Sequence, residues 1–152
     1  MTLDINGITA SLESHALSLG VFDRVSGHEP KNAPGNGLTA AFWVESVAPA
    51  RGMSGLAATS VLLTFNCRVY TSMMTDPQDG IDPLIVGAVD LLLASYSGDF
   101  DLNGTVRNVD LLGQSGTPLS ARAGYLTQDG KLFRVFTVTI PIVANDIWSQ
   151  AS

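Results

Sequence analysis

Apolar side chains recur every three or four residues in two stretches of the chain, the spacing that places them on one face of a helix. In the first stretch, this spacing predicts a helix over residues 4–18 with one apolar stripe formed by Ile5, Ile8, Leu12 and Ala16. The carboxylate of Asp4 can cap the start of this helix, and Gly20 can end it.

The second stretch predicts a helix from Asp82 to about Tyr96. An aspartate followed by a proline, here Pro83, is typical of a helix start, because the carboxylate can cap the first turn and proline fits the first helical position. Gly98 can end the helix. Its broad apolar face consists of Ile85, Val86, Val89, Leu92, Leu93 and Tyr96.

Strict alternation of apolar and mostly polar residues predicts the clearest strand at residues 60–73. A second strand is predicted over residues 39–49, and two shorter ones over residues 20–25 and 105–111. The apolar face of the clearest strand consists of Val61, Leu63, Phe65, Cys67 and Val69.

A β-hairpin is predicted where Asp129-Gly130 separates two alternating runs, residues 119–128 and 131–142. Both positions of such a turn need a positive φ, which aspartate and glycine tolerate. The second run is apolar on both faces, so we expect it to be central or covered on both sides. The tail that follows carries Ile147 and Trp148, which we expect to dock onto the domain or onto a neighbour.

These elements predict one domain, residues 1–152, of the α+β class. The expected architecture has two layers, with two helices packed on one face of one mixed or antiparallel sheet. Two loops rich in glycine and proline, residues 26–38 and 49–58, are long for a compact domain and are therefore expected to be functional or mobile.

Composition favours a surface that is partly covered by other proteins over one whose polarity comes from serine, threonine, asparagine and glycine instead. Hydrophobic residues make up 45% of the chain and charged residues only 14%, against about 25% in average proteins. The net charge of -6 and the scattered basic residues argue against a surface that binds nucleic acid and against binding to an anionic membrane. The most apolar stretch, Leu84 to Leu93, is too short to span a bilayer, and the N-terminus lacks the features of a signal peptide.

Candidate chemistry is sparse, and no catalytic, cofactor or metal site is predicted. His15 is expected at the surface, and His28 beside Glu29 has no second histidine or cysteine nearby to complete a metal site. Asp76, Asp79 and Asp82 do not have calcium-loop spacing, and the run of residues 99–104 lacks a downstream bidentate glutamate. The single cysteine is expected to be a buried hydrophobe. No nucleophile–base pair is evident, so we do not expect an enzyme.

The order of elements resembles a known family. A helix at residues 4–18 precedes strands around Phe42-Trp43-Val44 and Val61–Phe65, a helix opens at Asp82-Pro83, and the Asp129-Gly130 hairpin follows. This layout resembles the tail terminator proteins of long-tailed bacteriophages. The resemblance spans nearly the whole chain but includes no diagnostic motif.

The resemblance implies a virion structural protein, made in the host cytoplasm, that forms a ring of six copies on the head-proximal end of the tail. Such a ring ends growth of the tail tube, joins the tail to the head connector, and surrounds a channel through which DNA passes without specific binding. The implied partners are further copies, the tail tube protein and a connector or adaptor. Alternatives are another neck or head-completion adaptor, a tail tube subunit and, in a different class, a small-ligand-binding or enzymatic α+β domain.

The two long loops are expected to contact the tail tube or neighbouring subunits, and Arg68 and the tail are further candidates for contacts between subunits. Either Arg51 or Arg68 is expected to pair with an acid across a subunit boundary, because each is a basic residue in an acidic protein. The candidate interface residues are Pro34, Leu38, Arg51, Met53, Leu56, Arg68 and Trp148.

Overall fold

The structure, a computed structural model, describes residues 3–29, 37–50, 57–74 and 78–150. Within these ranges the chain forms two α-helices and one six-stranded sheet. The helices are α1 (Ile5–Ser18) and α2 (Ile81–Gly98), the latter preceded by a short 3-10 turn. The strands are β1 (Arg24–Ser26), β2 (Thr39–Pro49), β3 (Ala58–Ser72), β4 (Asn108–Val109), β5 (Ser120–Gln128) and β6 (Lys131–Ser149).

The sheet is mixed, and the α+β class is confirmed. Strand β1 runs parallel to β2, and all other pairings are antiparallel. The strand order is β1-β2-β3-β6, and the far side of β6 is shared by two strands. Strand β5 pairs with residues 131–139 and β4 with residues 142–143. The prediction that the second hairpin strand is central is therefore correct.

Helix α1 follows the predicted pattern closely. The Oδ1 atom of Asp4 accepts a hydrogen bond from the Gly7 backbone N–H at 3.1 Å, and Gly20 has a φ of +70° just beyond the last turn. The predicted start of α2 is wrong by a small margin. The helix begins at Ile81 with Gly80 at the cap position, and the carboxylate of Asp82 accepts from Nε of Arg134 at 2.9 Å instead of capping.

The two short predicted strands differ from the observed ones. The first strand is observed at Arg24–Ser26, at the end of the predicted range. The second shrinks to β4, and Leu102, Asn103 and Gly104, which have positive φ values, turn the chain before the predicted range. The long strands β2 and β3 lie where the alternation predicts them, within two residues.

Strand β6 passes through Pro141 without a break and continues beyond the predicted end at residue 142 to Ser149. The N and C=O groups of one strand residue point to the same side, and the Pro141 carbonyl accepts from the Asp110 N–H at 2.8 Å on the β4 side. The missing N–H therefore falls where β6 passes from β5 to β4, and the ladder with β3 is not interrupted.

The main core joins both helices to the sheet. The hydroxyl of Tyr96 on α2 donates to the Leu12 carbonyl of α1 at 2.9 Å. Cys67 lies fully buried in this core, and burial raises the pKa of its thiol. Core residues include Ile8, Leu12, Ala16, Phe42, Leu63, Phe65, Cys67, Ile85, Leu92, Tyr96, Val138 and Ile140. A smaller cluster of Ala41, Tyr70, Phe133 and Val135 forms from intervening positions of the same strands.

Candidate assembly surface

Six of the seven predicted interface residues fall into three groups. Pro34, Arg51, Met53 and Leu56 lie outside the described residues. Leu38 is only 4% exposed and belongs to the main core, so its side chain offers almost no surface to another subunit. Its backbone N–H and C=O both bond to Asp23, which explains its inward position. Trp148, near the end of β6, is 41% exposed and available for a contact.

Arg68 has its contacts within its own chain. Its guanidinium carbon lies 5.1 Å from the ring centroid of Trp43, and its Nε donates to Thr137 at 3.4 Å. Nη1 is 4.0 Å from the carboxylate of Glu29, at the outer limit of an ion pair. Among the described residues, the one acid within ion-pair distance of this arginine belongs to the same chain, and the cross-boundary pair stays a prediction.

The outward face of α2 is apolar, a feature that the sequence reasoning did not single out. Leu84, Val86 and Leu91 are between 44% and 47% exposed. Gly87, between them, has open space beside its Cα. After the first turn, Asp90 is the only charged residue of the helix. With a mean hydropathy of 1.3 over 18 residues, α2 is long and apolar enough to span a membrane, a criterion that the core helices of soluble proteins also meet.

A groove of about 550 Å³ lies between α1 and β2. Strand β1 pairs with β2 only over Thr39–Ala41, and no described strand lies along the same side of residues 42–49. The groove occupies part of this open side, and its floor contains the core residues Phe42 and Phe65. It is therefore continuous with the position that a further strand would occupy.

The walls of the groove are acidic and partly apolar. Glu13 of α1 and Glu29 of the segment after β1 line it, together with His28. Val44 lines the groove as well and is 38% exposed, although it pairs in register with the buried Phe65. The groove thus combines open backbone, an uncovered apolar side chain and negative charge.

The opposite edge of the sheet is formed by β5. This strand has nine residues and pairs only with β6 among the described strands. Its one charged residue is Arg122, which is exposed, and Tyr125 is 63% exposed. Native sheets usually protect such edges with prolines or several charges, and β5 has neither. One of its carbonyls, that of Gly124, accepts from Nη1 of Arg134 at 3.3 Å.

A Ser–His–Asp chain joins the two helices. Nδ1 of His15 lies 2.6 Å from Oγ of Ser95, and Nε2 lies 2.8 Å from Oδ2 of Asp99. The His15 ring also meets Tyr96 edge-on, with centroids 5.4 Å apart. The carboxylate accepts from Nε2–H, so in the neutral ring Nδ1 accepts from the Ser95 hydroxyl. The Asn103 backbone N–H and, after it, the His15 side chain lower the pKa of Asp99.

The three hydrogen-bonded side chains of Ser95, His15 and Asp99 have the connectivity of a nucleophile, a base and a residue that orients the base. The adjoining cavity of about 300 Å³ is lined by His15 and Asp99 but not by Ser95, whose hydroxyl lies in the junction between the helices. We therefore interpret this Ser–His–Asp series of hydrogen bonds as a clamp that holds α1 against α2. Sequence spacing could not find it, because His15 and Ser95 are 80 residues apart.

The acidic candidates have structural roles where they are described. Asp82 pairs with Arg134, and Asp99 accepts from the Asn103 N–H. The buried Asp110 closes the following loop by accepting from the N–H groups of Gln114 and Ser115. The described residues include no group of three or more metal-ligating side chains. Asp76 lies outside the described ranges.

Comparison with protein-family models gives no match for this chain, and a search among curated proteins gives none either.

Proposed function

We propose that this chain is a virion structural protein of the tail terminator type. In this proposal it forms a ring of copies at the head-proximal end of the tail tube, ends growth of the tube and joins the tail to the head connector. DNA passes through the ring without specific binding. The observation that carries the assembly role is the outward surface of α2, where Leu84, Val86 and Leu91 remain exposed and Asp90 is the one charged residue after the first turn.

We also propose the two-layer packing that the sequence predicts, with both helices on one face of the sheet. One core cluster contains residues of both helices together with residues that share one face of β2, β3 and β6. The register supports this, since Phe42, Cys67 and Val138 are cross-strand neighbours and all three belong to that cluster. In this arrangement, α2 has an inner face for folding and an outer face for assembly.

The energetic gain from covering the outer face of α2 is substantial. Complete burial of one leucine or valine side chain contributes roughly 1.5–3 kcal/mol. Leu84, Val86 and Leu91 are already about half buried, so covering the remainder gives about 2–4 kcal/mol per subunit. A closed ring repeats this gain at each subunit, which makes a uniform ring more stable than isolated contacts.

The test is to purify the protein and to determine its mass in solution and its shape by negative-stain electron microscopy. We expect single rings with six-fold symmetry that do not grow into filaments. Long filaments would instead indicate a tube subunit. A monomer at every concentration that stays in solution would contradict the proposal.

A pair of variants connects the ring to the helix face. Replacing Leu84 and Leu91 by serine should shift the protein from rings to monomers. Asp90→Asn, on the same helix, should leave the rings intact because it removes no apolar surface. The unfolding transition of each variant, followed by circular dichroism, separates loss of assembly from loss of the fold.

A function test uses isolated tail tube protein and connector. Rings of the proposed type should bind one end of the tube and stop its elongation in a polymerisation assay. Continued elongation in the presence of excess rings would contradict the terminator role while leaving assembly itself in place.

A further inference from the structure

We infer that neighbouring copies join by strand addition, with β5 of one copy lying along the open side of β2 in the next. This inference rests on the proposed ring and names the contact that would close it. Edge strands accept partner strands through their unpaired N–H and C=O groups, and the side chains beside them decide which strand fits.

The open side of β2 has the length and the shape for an added strand. Beyond Ala41, where the pairing with β1 ends, residues 42–49 have no strand on that side in the described part of the chain. The groove beside α1 begins at the same point. Strand β5 has nine residues, which matches the eight residues of this open side.

Among the described residues, apolar cover is missing along the same side of β2. Val44 and Val47 pair with the core residues Phe65 and Leu63, yet they are 38% and 48% exposed. Because cross-strand neighbours share a face of the sheet, both valines point toward the side of the main core. An added strand would place its own side chains beside them and remove this apolar surface from water.

The side chains of β5 fit this narrow space. Ala121 and Ala123 are cross-strand neighbours of Val138 and Phe136, which pack in or against the main core. In a sheet that continues from one copy to the next, these two alanines lie on the side of α1. Their small size permits a close approach to the groove, and the exposed Tyr125 follows on the same face.

Strand direction favours the same contact. Strands β2, β3, β6 and β5 alternate in direction, because each neighbouring pair is antiparallel. Rotation about an axis roughly along the strands preserves these directions, so β5 of one copy meets β2 of the next in the antiparallel sense. Antiparallel ladders are slightly more stable per residue than parallel ones.

Charge selects head-to-tail pairing over symmetric pairing. The β2 side carries Glu29 at the groove and the exposed Glu45 within the strand, whereas β5 carries Arg122. Two β2 edges would oppose acid to acid, and two β5 edges would oppose arginine to arginine. Only the β5–β2 contact joins opposite charges, and such a heterologous contact is the type that closes rings.

The decisive experiment is cross-linking between two single-site variants of the full chain. We would mix Val44→Cys protein, whose introduced thiol lies on the main-core side of the sheet like residues 123 and 125, with Ala123→Cys or Tyr125→Cys protein and treat the mixture with a short thiol cross-linker. The native Cys67 is fully buried and does not compete. We expect a covalent dimer in the mixture and none in either variant alone. Val44→Cys mixed with Leu17→Cys, an exposed site near the C-terminal end of α1, is the control.

Charge reversal provides a second readout. Arg122→Glu and Glu45→Arg should each reduce the fraction of rings at least tenfold, and the two reversals in one chain should restore part of it. Arg24→Glu, an exposed arginine of β1, should have no comparable effect.

The outcomes separate this inference from the proposed function. Rings that form without the mixed cross-link overturn the β5–β2 contact and leave the ring itself standing. A protein that stays monomeric in all assays overturns both. A cross-link within each variant alone indicates symmetric pairing and also overturns the inference. If residues 30–36 of the same chain fill the groove, the thiol introduced by Val44→Cys is protected in the monomer and the mixed product is absent, which has the same consequence.

Discussion

Polar groups at the junction between α1 and α2 are hydrogen-bonded within the chain, whereas backbone polar groups along the open side of β2 have no strand partner in the described ranges. At the junction, His15, Ser95, Asp99 and Tyr96 all have hydrogen-bond partners within the chain. Along β2, the backbone beyond Ala41 has no strand partner on one side in the described ranges, and two valines of the core face stay partly exposed. The difference separates what the isolated subunit needs for folding from what it presents to a partner.

The largest loss of stability should follow from removing a side chain of the core that both helices share. Leu92→Ala deletes a fully buried residue of the main core and should lower the free energy of unfolding by about 2–5 kcal/mol, because it leaves a cavity. Chemical denaturation measures this change. The neighbouring Leu91→Ala, on the outward face, is the matched control and should cost less than about 1 kcal/mol in the free subunit. Equal losses would contradict the division of α2 into two faces.

Removal of one buried hydrogen bond should have a smaller effect. Tyr96→Phe deletes the hydroxyl that donates to the Leu12 carbonyl and should lower the free energy of unfolding by about 1 kcal/mol. The same substitution at the exposed Tyr125 should leave the denaturation midpoint unchanged. A larger loss at Tyr125 than at Tyr96 would mean that the junction is not the stabilising region.

The pH dependence of stability tests the clamp. The folded state lowers the pKa of Asp99, first through the Asn103 N–H and then through the His15 side chain. A lowered folded pKa means that the unfolded state binds the proton more readily. The stabilisation is therefore present above the ordinary aspartate pKa of about 3.9 and is lost as the pH falls through the lower folded value. Asp99→Asn should flatten the fall in melting temperature below about pH 4, whereas Asp90→Asn should not.

The smallest effect on the isolated subunit is expected at the open side of β2. Val47→Thr keeps the side-chain shape, and since Val47 is 48% exposed the free energy of unfolding should change by less than about 0.5 kcal/mol. The fraction of rings, measured by light scattering after size exclusion, should nevertheless decrease. The same substitution at the buried Val61 should cost about 1–3 kcal/mol. Full ring formation by Val47→Thr protein would remove this side of the sheet from the assembly surface.

Local signals in the sequence were sufficient for α1, β2 and the hairpin. Asp4 and Gly20 act within one helical turn, and Asp129-Gly130 adopts the two positive φ values that its turn requires. Each of these features depends on neighbours in the chain, so spacing and residue type determine them.

Non-local partners account for what the sequence did not predict. The sequence predicts that Asp82 caps α2, but its carboxylate instead accepts a hydrogen bond from Arg134, 52 residues later in the chain. Leu38 sits beside a glycine-rich loop and was expected at an interface, but two bonds to Asp23 bring it into the core. The Ser–His–Asp clamp and the two open edges exist only once the sheet is assembled, and no spacing rule describes such contacts.

Strand β6 imposes an order on how the molecule can be made. It pairs with β3, β4 and β5, all of which precede it in the chain. A ribosome therefore releases β3, with the side chains of Leu63 and Phe65, long before their partner residues 140–142 have been synthesised. During translation this half-built sheet is exposed to aggregation, and its final closure depends on contacts between distant parts of the chain, which form slowly. We expect the nascent protein to rely on chaperones until residue 149 has emerged.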